Sequence, residues 1–486
     1  MPQYKIKVKW GKESFKDIEV NNEEPPMLFK AQLFALTGVQ PERQKVMIKG
    51  VTLKDDSWEN FSLKDGVTVL LMGSKEEDVP KEPVEKTVFV EDMNESELAT
   101  ALDLPAGLTN LGNTCYMNAT VQCLRTVPEL REALQNYQGG VAAAGGVIPA
   151  QSITAALRDL YSTMDKGHTV PPIVLLQVLH MAFPRFAEKN EHGGFAQQDA
   201  NEFWTELVRM LQQKLPAKPS EQEQYKSLVD QYFGGTFDVE LKCDEAPDEN
   251  IAKSKEQFLQ LSCFISQDVR YMHSGLKSKM QEKITKKSLT LDRDAVYTKT
   301  SRISRLPAYL TVQFVRFYYK EKESINAKIL KDVKFPMEFD AFDICTPELQ
   351  EKLAPIRSKF KELEDAQVEA AAATKDKDKG DCKQKEDKKY APYWFEDDLG
   401  SNNSGYYILQ AVLTHRGRSS SSGHYVGWIR MSGDNWVKCD DDAIIPVTTE
   451  DILKLSGGGD WHCAYVLLYG PKRLELTEKE ENMITE

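Results

Sequence analysis

Cys115 and His424 carry the strongest chemical signal in this chain of 486 residues. A cysteine thiol attacks as the thiolate, so a catalytic cysteine needs an imidazole or a helix N-terminus beside it. Asp440 follows His424 closely in the sequence and is of the residue type that orients such an imidazole. A thiol, a base and a carboxylate together predict a cysteine hydrolase.

The residues that follow Cys115 predict the element that positions its thiol. Apolar side chains recur with helical spacing at Met117, Val121 and Leu124, and this pattern predicts a helix that begins near the cysteine. Cys115 then lies on the first turn, where backbone N–H groups stabilise an anion. Asn110 lies shortly before the thiol and is an amide donor of the kind that binds the oxyanion formed on a reacting carbonyl.

Two strand-like segments predict where the base and the carboxylate lie. His424 begins one alternating segment of polar and apolar residues, and a second such segment precedes Asp440. On neighbouring strands of one sheet these two side chains can meet. We therefore predict Asp440 as the partner of the imidazole, with Asp441 as the alternative.

Composition argues against several other classes of protein. The net charge of −13 disfavours a nucleic-acid partner, and no apolar run reaches the length of a membrane span. The first residues show no hydrophobic signal region. Eight cysteines without dense spacing favour free thiols in a reducing compartment. We therefore expect a cytosolic or nuclear protein.

The length of the chain favours two or three domains. Residues 1–75 have the pattern of two strands, a helix that stops at Gly38 and two further short strands, an order that resembles ubiquitin. No Gly-Gly tail follows, so we expect an integral ubiquitin-like domain that docks and is not conjugated. Residues 76–103 predict a charged linker, and a low-complexity tract at about 361–389 predicts a charged helix or a disordered insertion.

Beyond this domain the chain resembles the ubiquitin-specific proteases, a family of cysteine proteases, over about residues 104–470. The matching segments, in order, are Gly107–Gln122, Gln197–Phe203, Arg305–Phe317, Gly423–Val426, Trp436–Asp442 and Ala464–Tyr469. The resemblance implies an α+β fold, in which an N-terminal ubiquitin-like β-grasp domain precedes a papain-like thumb-palm-fingers catalytic domain over residues 104–486. It also implies a deubiquitinase that hydrolyses isopeptide bonds at the C-terminal glycine of ubiquitin.

The resemblance assigns roles to the catalytic residues of this chain. It implies that Cys115 is the nucleophile, His424 the base, Asp440 its orienter and Asn110 the oxyanion donor. It also implies that Asp199 holds the substrate tail.

Further residues are predicted to bind the substrate. Gln122 belongs to the cysteine segment. Tyr425, Trp461 and Tyr465 are aromatic candidates for the walls of a slot too narrow for any residue but glycine. Ordinary packing in the sheet is the alternative for Tyr465.

The chain departs from the family pattern where many members bind zinc. Those members carry two Cys-x-x-Cys pairs in the fingers, whereas Cys243 here is followed by Asp-Glu-Ala, and no second pair lies near Tyr297. A four-thiolate site cannot be assembled, so we expect fingers without metal and an enzyme without a cofactor. Cys439 occupies a position where the family usually has an aromatic residue.

The ubiquitin-like domain and the overall match point to a proteasome-associated member of this family. The expected partners are ubiquitin, ubiquitin conjugates and the proteasome regulatory particle. A charged segment that starts at Phe317 and a serine run, Ser419, Ser420, Ser421 and Ser422, are predicted to form loops over the tail channel. We expect these loops to block the enzyme until docking activates it. Phosphorylation of the serine run is one hypothesis, and a plain flexible loop is the other.

Two rival functions remain open at this point. The chain is either an active hydrolase or a catalytically silent ubiquitin-binding scaffold on the proteasome, and the intact set of Cys115, His424, Asp440 and Asn110 favours the hydrolase. A cysteine hydrolase for a different modifier would share the mechanism but not the pocket.

Overall fold

A computed structural model describes residues 3–59, 61–74, 104–141, 148–167, 169–220, 224–320, 325–373, 389–420 and 422–476. The chain divides into two compact units, Met1–Asn94 and Glu95–Glu486. The predicted linker 76–103 lies outside the described residues. None of the described helices combines the length and the apolarity needed to span a bilayer.

In its described residues the first unit is a five-stranded sheet that packs on one α-helix. Its elements are β1 (Gln3–Trp10), β2 (Glu13–Asn21), α1 (Pro26–Thr37), β3 (Lys45–Ile48), β4 (Val51–Thr52) and β5 (Thr68–Met72). The strand order is β2-β1-β5-β3-β4, and β1 and β5 run parallel. Alternation puts Ile6, Val8 and Val69 on the inner face against Leu33 of α1. The predicted ubiquitin-like β-grasp is confirmed.

The second unit begins with a helical subdomain, the thumb. Its helices are α2 (Cys115–Leu124), α3 (Pro128–Gln135), α4 (Pro149–Met164), α5 (Ile173–Ala182), α6 (Ala200–Lys214) and the short α7 (Leu228–Tyr232). All ten residues of α2 are buried, because this helix lies between the other helices and the large sheet. The helix that carries Cys115 is therefore fixed on all sides.

The large sheet of this unit, the palm, carries the histidine and the aspartates. Its central order is β18-β17-β16-β15-β19-β11-β8. Its strands are β8 (Leu261–Phe264), β11 (Leu310–Val315), β12 (Phe317–Lys320), β13 (Ile325–Lys328), β14 (Glu338–Asp340), β15 (Tyr406–Ser419), β16 (Ser422–Ser432), β17 (Asn435–Asp440), β18 (Ala443–Val447) and β19 (Cys463–Pro471). Three helices accompany these strands, α8 (Met272–Lys277), α9 (Pro347–Ala373) and α10 (Thr449–Leu453). All nine residues of β19 are buried, as expected for a strand with both faces covered.

A separate four-stranded sheet forms the fingers. It comprises β6 (Gly235–Cys243), β7 (Ala252–Phe258), β9 (Gln281–Lys287) and β10 (Asp294–Arg305) in the order β7-β6-β10-β9. At its tip Cys243 packs with Ala246, Ala295 and Tyr297. The carboxylate of Glu249 accepts hydrogen bonds from Tyr297 at 2.6 Å and from Ser288 at 2.5 Å. An apolar cluster and a shared carboxylate therefore connect the strands at the tip.

The predicted charged insertion begins as a helix. α9 runs through residue 373, so the first half of the 361–389 tract is helical. Residues 374–388 lie outside the described residues.

Candidate active site

Cys115 is the first residue of α2, as the apolar spacing predicts. The preceding turn is held by the side-chain oxygen of Asn110, which accepts from the backbone N–H of Gly112 at 2.9 Å and of Thr114 at 3.3 Å. The Thr114 hydroxyl accepts from the N–H of Leu111 at 2.9 Å. These bonds place the thiol at the N-terminal end of the helix, where the peptide dipoles favour negative charge.

The strand of His424 lies directly against the helix of Cys115 because β16 has a glycine at the crossing. A Cβ at Gly427 would lie 3.2 Å from the backbone oxygen of Ala119, so a larger residue there would push α2 away from the sheet. This close approach brings the imidazole at the start of β16 to the thiol at the start of α2.

His424 and Asp440 meet across neighbouring strands. Nε2 of His424 lies 2.5 Å from Oδ1 of Asp440, the last residue of β17. The Asp440 carboxylate and the adjacent Cys115 sulfur raise the pKa of His424 to about 10. Because Nε2 is bonded to the aspartate, Nδ1 is the ring nitrogen that remains to exchange a proton with the Cys115 sulfur. The imidazole is therefore held charged and oriented.

Asp440 has a second cationic neighbour that sequence reasoning missed. Nζ of Lys438 lies 2.7 Å from Oδ2 of Asp440. Hydrogen bonds from His424 and Lys438 hold the pKa of Asp440 well below its usual range. The signal was present in the sequence, because residues 438 and 440 are two apart on one strand and share a face.

Asp441, the alternative orienter, has a different role in the structure. Its carboxylate accepts from the side-chain amides of Asn110 and Asn118, each at 2.8 Å. Asp441 adopts a φ of 54°, a left-handed conformation that is uncommon for residues other than glycine. Asp441 therefore anchors the predicted oxyanion donor, and sequence reasoning missed both this contact and Asn118.

The segment before Cys115 is also held by its backbone against the turn after Asp440. The N–H of Leu108 donates to the oxygen of Asp441 at 2.8 Å. A Cβ on Gly107 would lie 2.4 Å from the backbone oxygen of Asp442, so only glycine fits at this approach. Among the described residues, the group His424, Asp440 and Asp441 is the one whose donor atoms lie close enough together to hold a metal ion. Lys438, Asn110 and Asn118 already occupy its carboxylates.

Two other histidines near the site have lowered pKa values, in contrast to the raised pKa of His424. Burial lowers the pKa of His462 to about 4 and that of His415 to about 3. His462 is fixed by Thr414, whose hydroxyl lies 3.1 Å from its Nδ1. Both rings are neutral near pH 7, so neither substitutes for His424 as a charged partner of the thiol.

Asp199 lies at the head of α6 in a cleft of about 650 Å³. Its Oδ1 accepts from the backbone N–H of Asn201 at 2.8 Å and of Glu202 at 3.1 Å. The hydroxyl of Tyr465 donates to the same carboxylate at about 2.9–3.0 Å. Burial raises the pKa of Asp199, while these three donors oppose that shift. The predicted tail-binding residues Asp199 and Tyr465 are therefore in direct contact.

The other predicted substrate-binding residues are not gathered at this cleft. Gln122 is buried, and its amide donates to the backbone oxygen of Ala106 at 2.7 Å, so the structure does not bring it to the cleft. Tyr425 is also buried, behind Tyr465, with 6.3 Å between the ring centroids. These positions correct the sequence-based assignment, which did not know which face of α2 and β16 turns inward. Trp461 is 52% exposed and is accessible to a partner.

Two of the predicted regulatory residues, Phe317 and Ser420, line the same cleft as Asp199. Phe317 begins strand β12, so the loop predicted at this residue is wrong. The ring of Phe317 packs edge-on against His415 and Tyr465, with centroid distances of 5.3 and 5.1 Å. Ser419 pairs with Ser422 across the β15–β16 turn and with Ala327 of β13. Ser421 lies outside the described residues.

Comparison with known proteins agrees with this geometry. The family described as ubiquitin carboxyl-terminal hydrolase matches residues 106–469. Ubiquitin carboxyl-terminal hydrolase 7 of Arabidopsis thaliana is 41% identical over 97% of this chain and 99% of its own length. Ubiquitin carboxyl-terminal hydrolase 14 of Caenorhabditis elegans is 42% identical over 96% of this chain and 92% of its own length.

A solved structure shares the fold at lower identity. It is a chain of the SAGA Ubp8/Sgf11/Sus1/Sgf73 DUB module bound to ubiquitin aldehyde, with a TM-score of 0.51 and 22% identity. The match covers 76% of this chain and 70% of that one. Since the family match spans most of the catalytic unit and the relatives match nearly the whole chain, the chain belongs to the ubiquitin-specific proteases of the ubiquitin carboxyl-terminal hydrolase family and is a thiol-dependent deubiquitinating enzyme.

Proposed function

We propose that this enzyme hydrolyses isopeptide bonds at the C-terminal glycine of ubiquitin on conjugates held by the proteasome, and that docking on the proteasome regulatory particle activates it. The observation that carries the chemistry is the chain of contacts from Cys115 through His424 to Asp440. The same arrangement argues against a silent scaffold, because a protein that only binds needs no oriented base. The expected location is the cytosol or the nucleus.

The reaction begins with the Cys115 thiolate and the His424 imidazolium. The sulfur attacks the carbonyl carbon of the ubiquitin C-terminal glycine, and the carbonyl electrons move onto oxygen. As the carbon–nitrogen bond breaks, Nδ1 of His424 gives its proton to the leaving lysine amine. Asp440 holds Nε2 throughout and so keeps the other nitrogen directed at the reaction.

Water completes the turnover. His424, now neutral, takes a proton from a water molecule that attacks the thioester carbon. The carbon–sulfur bond breaks with its electron pair on sulfur, which restores the thiolate beside the imidazolium. The new carboxyl group of ubiquitin gives its remaining proton to solvent and leaves as a carboxylate. Asn110 stabilises both tetrahedral oxyanions. One of its two amide hydrogens donates to Asp441, which leaves the other for the substrate oxygen.

Asp199 supplies a carboxylate for the extended ubiquitin tail. Its Oδ1 already accepts two backbone N–H groups, whereas Oδ2 accepts only from Tyr465 among the described residues. A carboxylate oxygen with spare accepting capacity suits a backbone amide or a guanidinium of the tail.

Two segments that line the cleft account for the proposed activation. Phe317, the first residue of β12, and Ser420, in the β15–β16 turn, line the same cleft as Asp199, so a tail that enters the cleft meets both of them. Segments of this kind move aside when a partner favours their displaced form. The ubiquitin-like unit on the same chain provides the docking module.

The decisive experiment measures hydrolysis of a fluorogenic ubiquitin C-terminal amide by the full chain, with and without proteasome. We expect a low basal rate and a large increase on adding proteasome, and no rate in either condition for Cys115→Ala. Equal rates with and without proteasome would contradict the activation but leave the hydrolase intact.

A second measurement separates the hydrolase from the scaffold. A ubiquitin probe with an electrophilic C-terminus should form a covalent adduct with the wild type and none with Cys115→Ala. If the wild type were captured no faster than this variant, the catalytic assignment would be wrong. Competition with related modifiers tests whether the pocket selects ubiquitin.

A further inference from the structure

The outward surface of helix α1 in the ubiquitin-like unit is apolar. Its exposed side chains carry no charge, and only one of them is polar. We call this surface the α1 outer face, which consists of Met27, Leu28, Ala31, Gln32, Phe34, Ala35 and Leu36. The exposed fractions of its four large side chains are 45% for Met27, 55% for Leu28, 38% for Phe34 and 43% for Leu36. A helix on a protein surface normally shows water a polar face.

Packing within the ubiquitin-like unit does not explain this composition. The inward face of α1 places Phe29 and Leu33 in the core, and the α1 outer face lies on the opposite side of the helix. Contiguous exposed apolar patches of this kind mark interaction sites.

The surface shape of the α1 outer face is complementary to a second helix. Ala31 and Ala35 lie four residues apart and form a low row. The row Leu28, Gln32 and Leu36 rises on one side of it, and Phe34 rises on the other. A groove between two such rows accepts a ridge of side chains from another helix.

The surroundings of this face are acidic. Glu23 and Glu24 are exposed just before α1, and Asp55, Asp56 and Glu59 are exposed in the loop after β4. That loop lies alongside the helix, because Lys30 of α1 forms an ion pair with Asp55 and the indole N–H of Trp58 donates to the backbone oxygen of Glu24 at 2.7 Å. Lys30 and Asp55 neutralise each other in this pair, which leaves Glu23, Glu24, Asp56 and Glu59 as the acidic groups. Lys54 is the one basic side chain of residues 53–59.

The sheet face of the same unit, on the side opposite α1, carries positive charge. The outward side chains of β1 include Lys5, Lys7 and Lys9, and Lys9 pairs in register with Leu70 of β5. Next to them Lys45 pairs with Met72. The sheet face is therefore basic around Leu70 and Met72, so the two faces select different partners.

We propose that the α1 outer face is a second docking surface, which binds an amphipathic helix of a partner protein whose apolar stripe is flanked by lysine or arginine. The apolar stripe fills the alanine groove, and the basic flanks meet the acidic residues around it. Because α1 is only 12 residues long, the contact is small and of the transient class.

A second copy of this chain is the main competing occupant, because its sheet face is apolar and basic. A contact between the helix face of one copy and the sheet face of the next is heterologous, so it builds a ring of several copies or an open filament and not a simple two-fold dimer. The net charge of −13 also opposes association of copies. These two arguments favour a different protein.

The test measures binding of two fluorescent amphipathic peptides to the full chain. Both peptides carry the same leucine stripe, but one has lysine and the other glutamate at all flanking positions. We expect the lysine peptide to bind at low ionic strength and the glutamate peptide to bind at least about tenfold more weakly. The affinity for the lysine peptide should fall as salt is added.

Matched variants locate the binding surface. Leu28→Gln combined with Phe34→Gln should weaken binding of the lysine peptide about tenfold or more. The control, Leu70→Gln combined with Met72→Gln on the sheet face, should not. Thermal unfolding and the basal hydrolysis of ubiquitin amide should be unchanged in both, which separates this proposal from the catalytic one.

Several results would overturn the proposal. They are equal binding by the helix-face variant and the wild type, equal binding of the two peptides, and failure of the wild type to bind the lysine peptide. Sedimentation showing self-association that the helix-face variant abolishes would assign the surface to a second copy instead.

Discussion

The side-chain amide of Asn110 donates a hydrogen bond of 2.8 Å to Oδ2 of Asp441. The other oxygen of this carboxylate binds Asn118, a buried residue of the same helix as the nucleophile. The proposed oxyanion donor is therefore positioned by Asp441, the residue next to Asp440, which is the proposed orienter of the base. A side chain held before the reaction begins stabilises the transition state without reorganisation.

Removing the Asp441 carboxylate should impair catalysis through Asn110. We expect Asp441→Ala to lower kcat for ubiquitin-amide hydrolysis by about 100-fold, with little change in KM, because an oxyanion donor acts on the transition state. Asp442→Ala is the matched control, since the Asp442 side chain is exposed, and it should retain the wild-type rate.

A double-mutant cycle distinguishes positioning from independent chemistry. If Asp441 acts through Asn110, then Asp441→Ala combined with Asn110→Ala should be about as slow as Asn110→Ala alone. Losses in kcat that multiply would show that Asp441 has a separate function.

Asp199 caps α6 and is proposed to bind the ubiquitin tail, and two substitutions separate these two roles. Asp199→Asn keeps an oxygen for the N–H groups of Asn201 and Glu202 but removes the charge, so we expect a KM raised about tenfold at nearly unchanged stability. Asp199→Ala also removes the helix cap and should cost about 1 kcal/mol in the free energy of unfolding. An unaltered KM in both variants would exclude Asp199 from the tail site.

Tyr465 and Tyr425 are neighbouring buried tyrosines that differ in one contact. Tyr465→Phe removes a hydroxyl that binds the half-buried Asp199 carboxylate, so we expect a higher KM and a stability loss of about 1–2 kcal/mol. Tyr425→Phe is the control, because the Tyr425 hydroxyl interacts with the backbone of Ala200 and is not hydrogen-bonded to the Asp199 carboxylate. It should have the smaller effect on KM and on stability. Equal effects of the two substitutions in KM and denaturant titrations would contradict this account.

The pH dependence of the rate should reveal the Asp440 contact. The hydrogen bond to Asp440 is the main cause of the raised pKa of His424, which is about 10. We therefore expect kcat/KM to fall at alkaline pH, as the imidazolium loses its proton. In Asp440→Asn the pKa of His424 falls, so the alkaline limb should move to lower pH, and kcat should drop by a factor of about 100–10,000. If the rate fell at the same alkaline pH in the wild type and in Asp440→Asn, a group other than His424 would be responsible for the decrease.

The free energy of unfolding should also depend on pH through the His424–Asp440 pair, within a pH range that the two pKa shifts define. The raised pKa of His424 contributes stability that is complete below about pH 6.5 and is lost as the pH rises through about 10. The lowered pKa of Asp440 contributes stability that is present above about pH 4 and is lost in acid. The difference in melting temperature between the wild type and His424→Gln should be largest between these limits. A difference that grows toward pH 10 would contradict the assigned sign.

Arg316 is buried in the palm and holds three segments together. Its guanidinium donates to backbone oxygens of Ala464, Ile329, Lys331 and Ser456 at 2.7–3.1 Å. Arg316→Lys should destabilise the enzyme by about 2–4 kcal/mol, because an ammonium cannot reach all four oxygens.

Arg209→Lys provides the control for that substitution. Arg209 is exposed and pairs loosely with Glu206, so its replacement should change the free energy of unfolding by less than about 0.5 kcal/mol. Denaturant titration measures both variants. Equal effects would show that the four carbonyl bonds contribute no net stability.

The fold was predictable where the spacing of apolar residues along the chain matches the face that each element buries. Alternation in β1 and β5, the helix ended by Gly38 and the apolar spacing after Cys115 all mark real elements. The contacts of Asn118 and Asp441 were not foreseen, because they depend on which elements and turns meet. The Lys438–Asp440 contact was missed although both residues lie on one face of β17. Gln122 was assigned to the substrate but lies inside, since the inward face of α2 is set by the sheet behind it.

The sequence alone determined the chemistry of this protein. A thiol at the head of a helix, an imidazole at the start of a strand and a carboxylate at the end of the next are local features, because spacing and alternation fix them. The tertiary structure decided how these groups are tuned. The bonds of Asn110 to Asp441 and of Asp199 to Tyr465 join residues 331 and 266 positions apart, and only the packing of the thumb on the palm brings such partners within hydrogen-bonding distance.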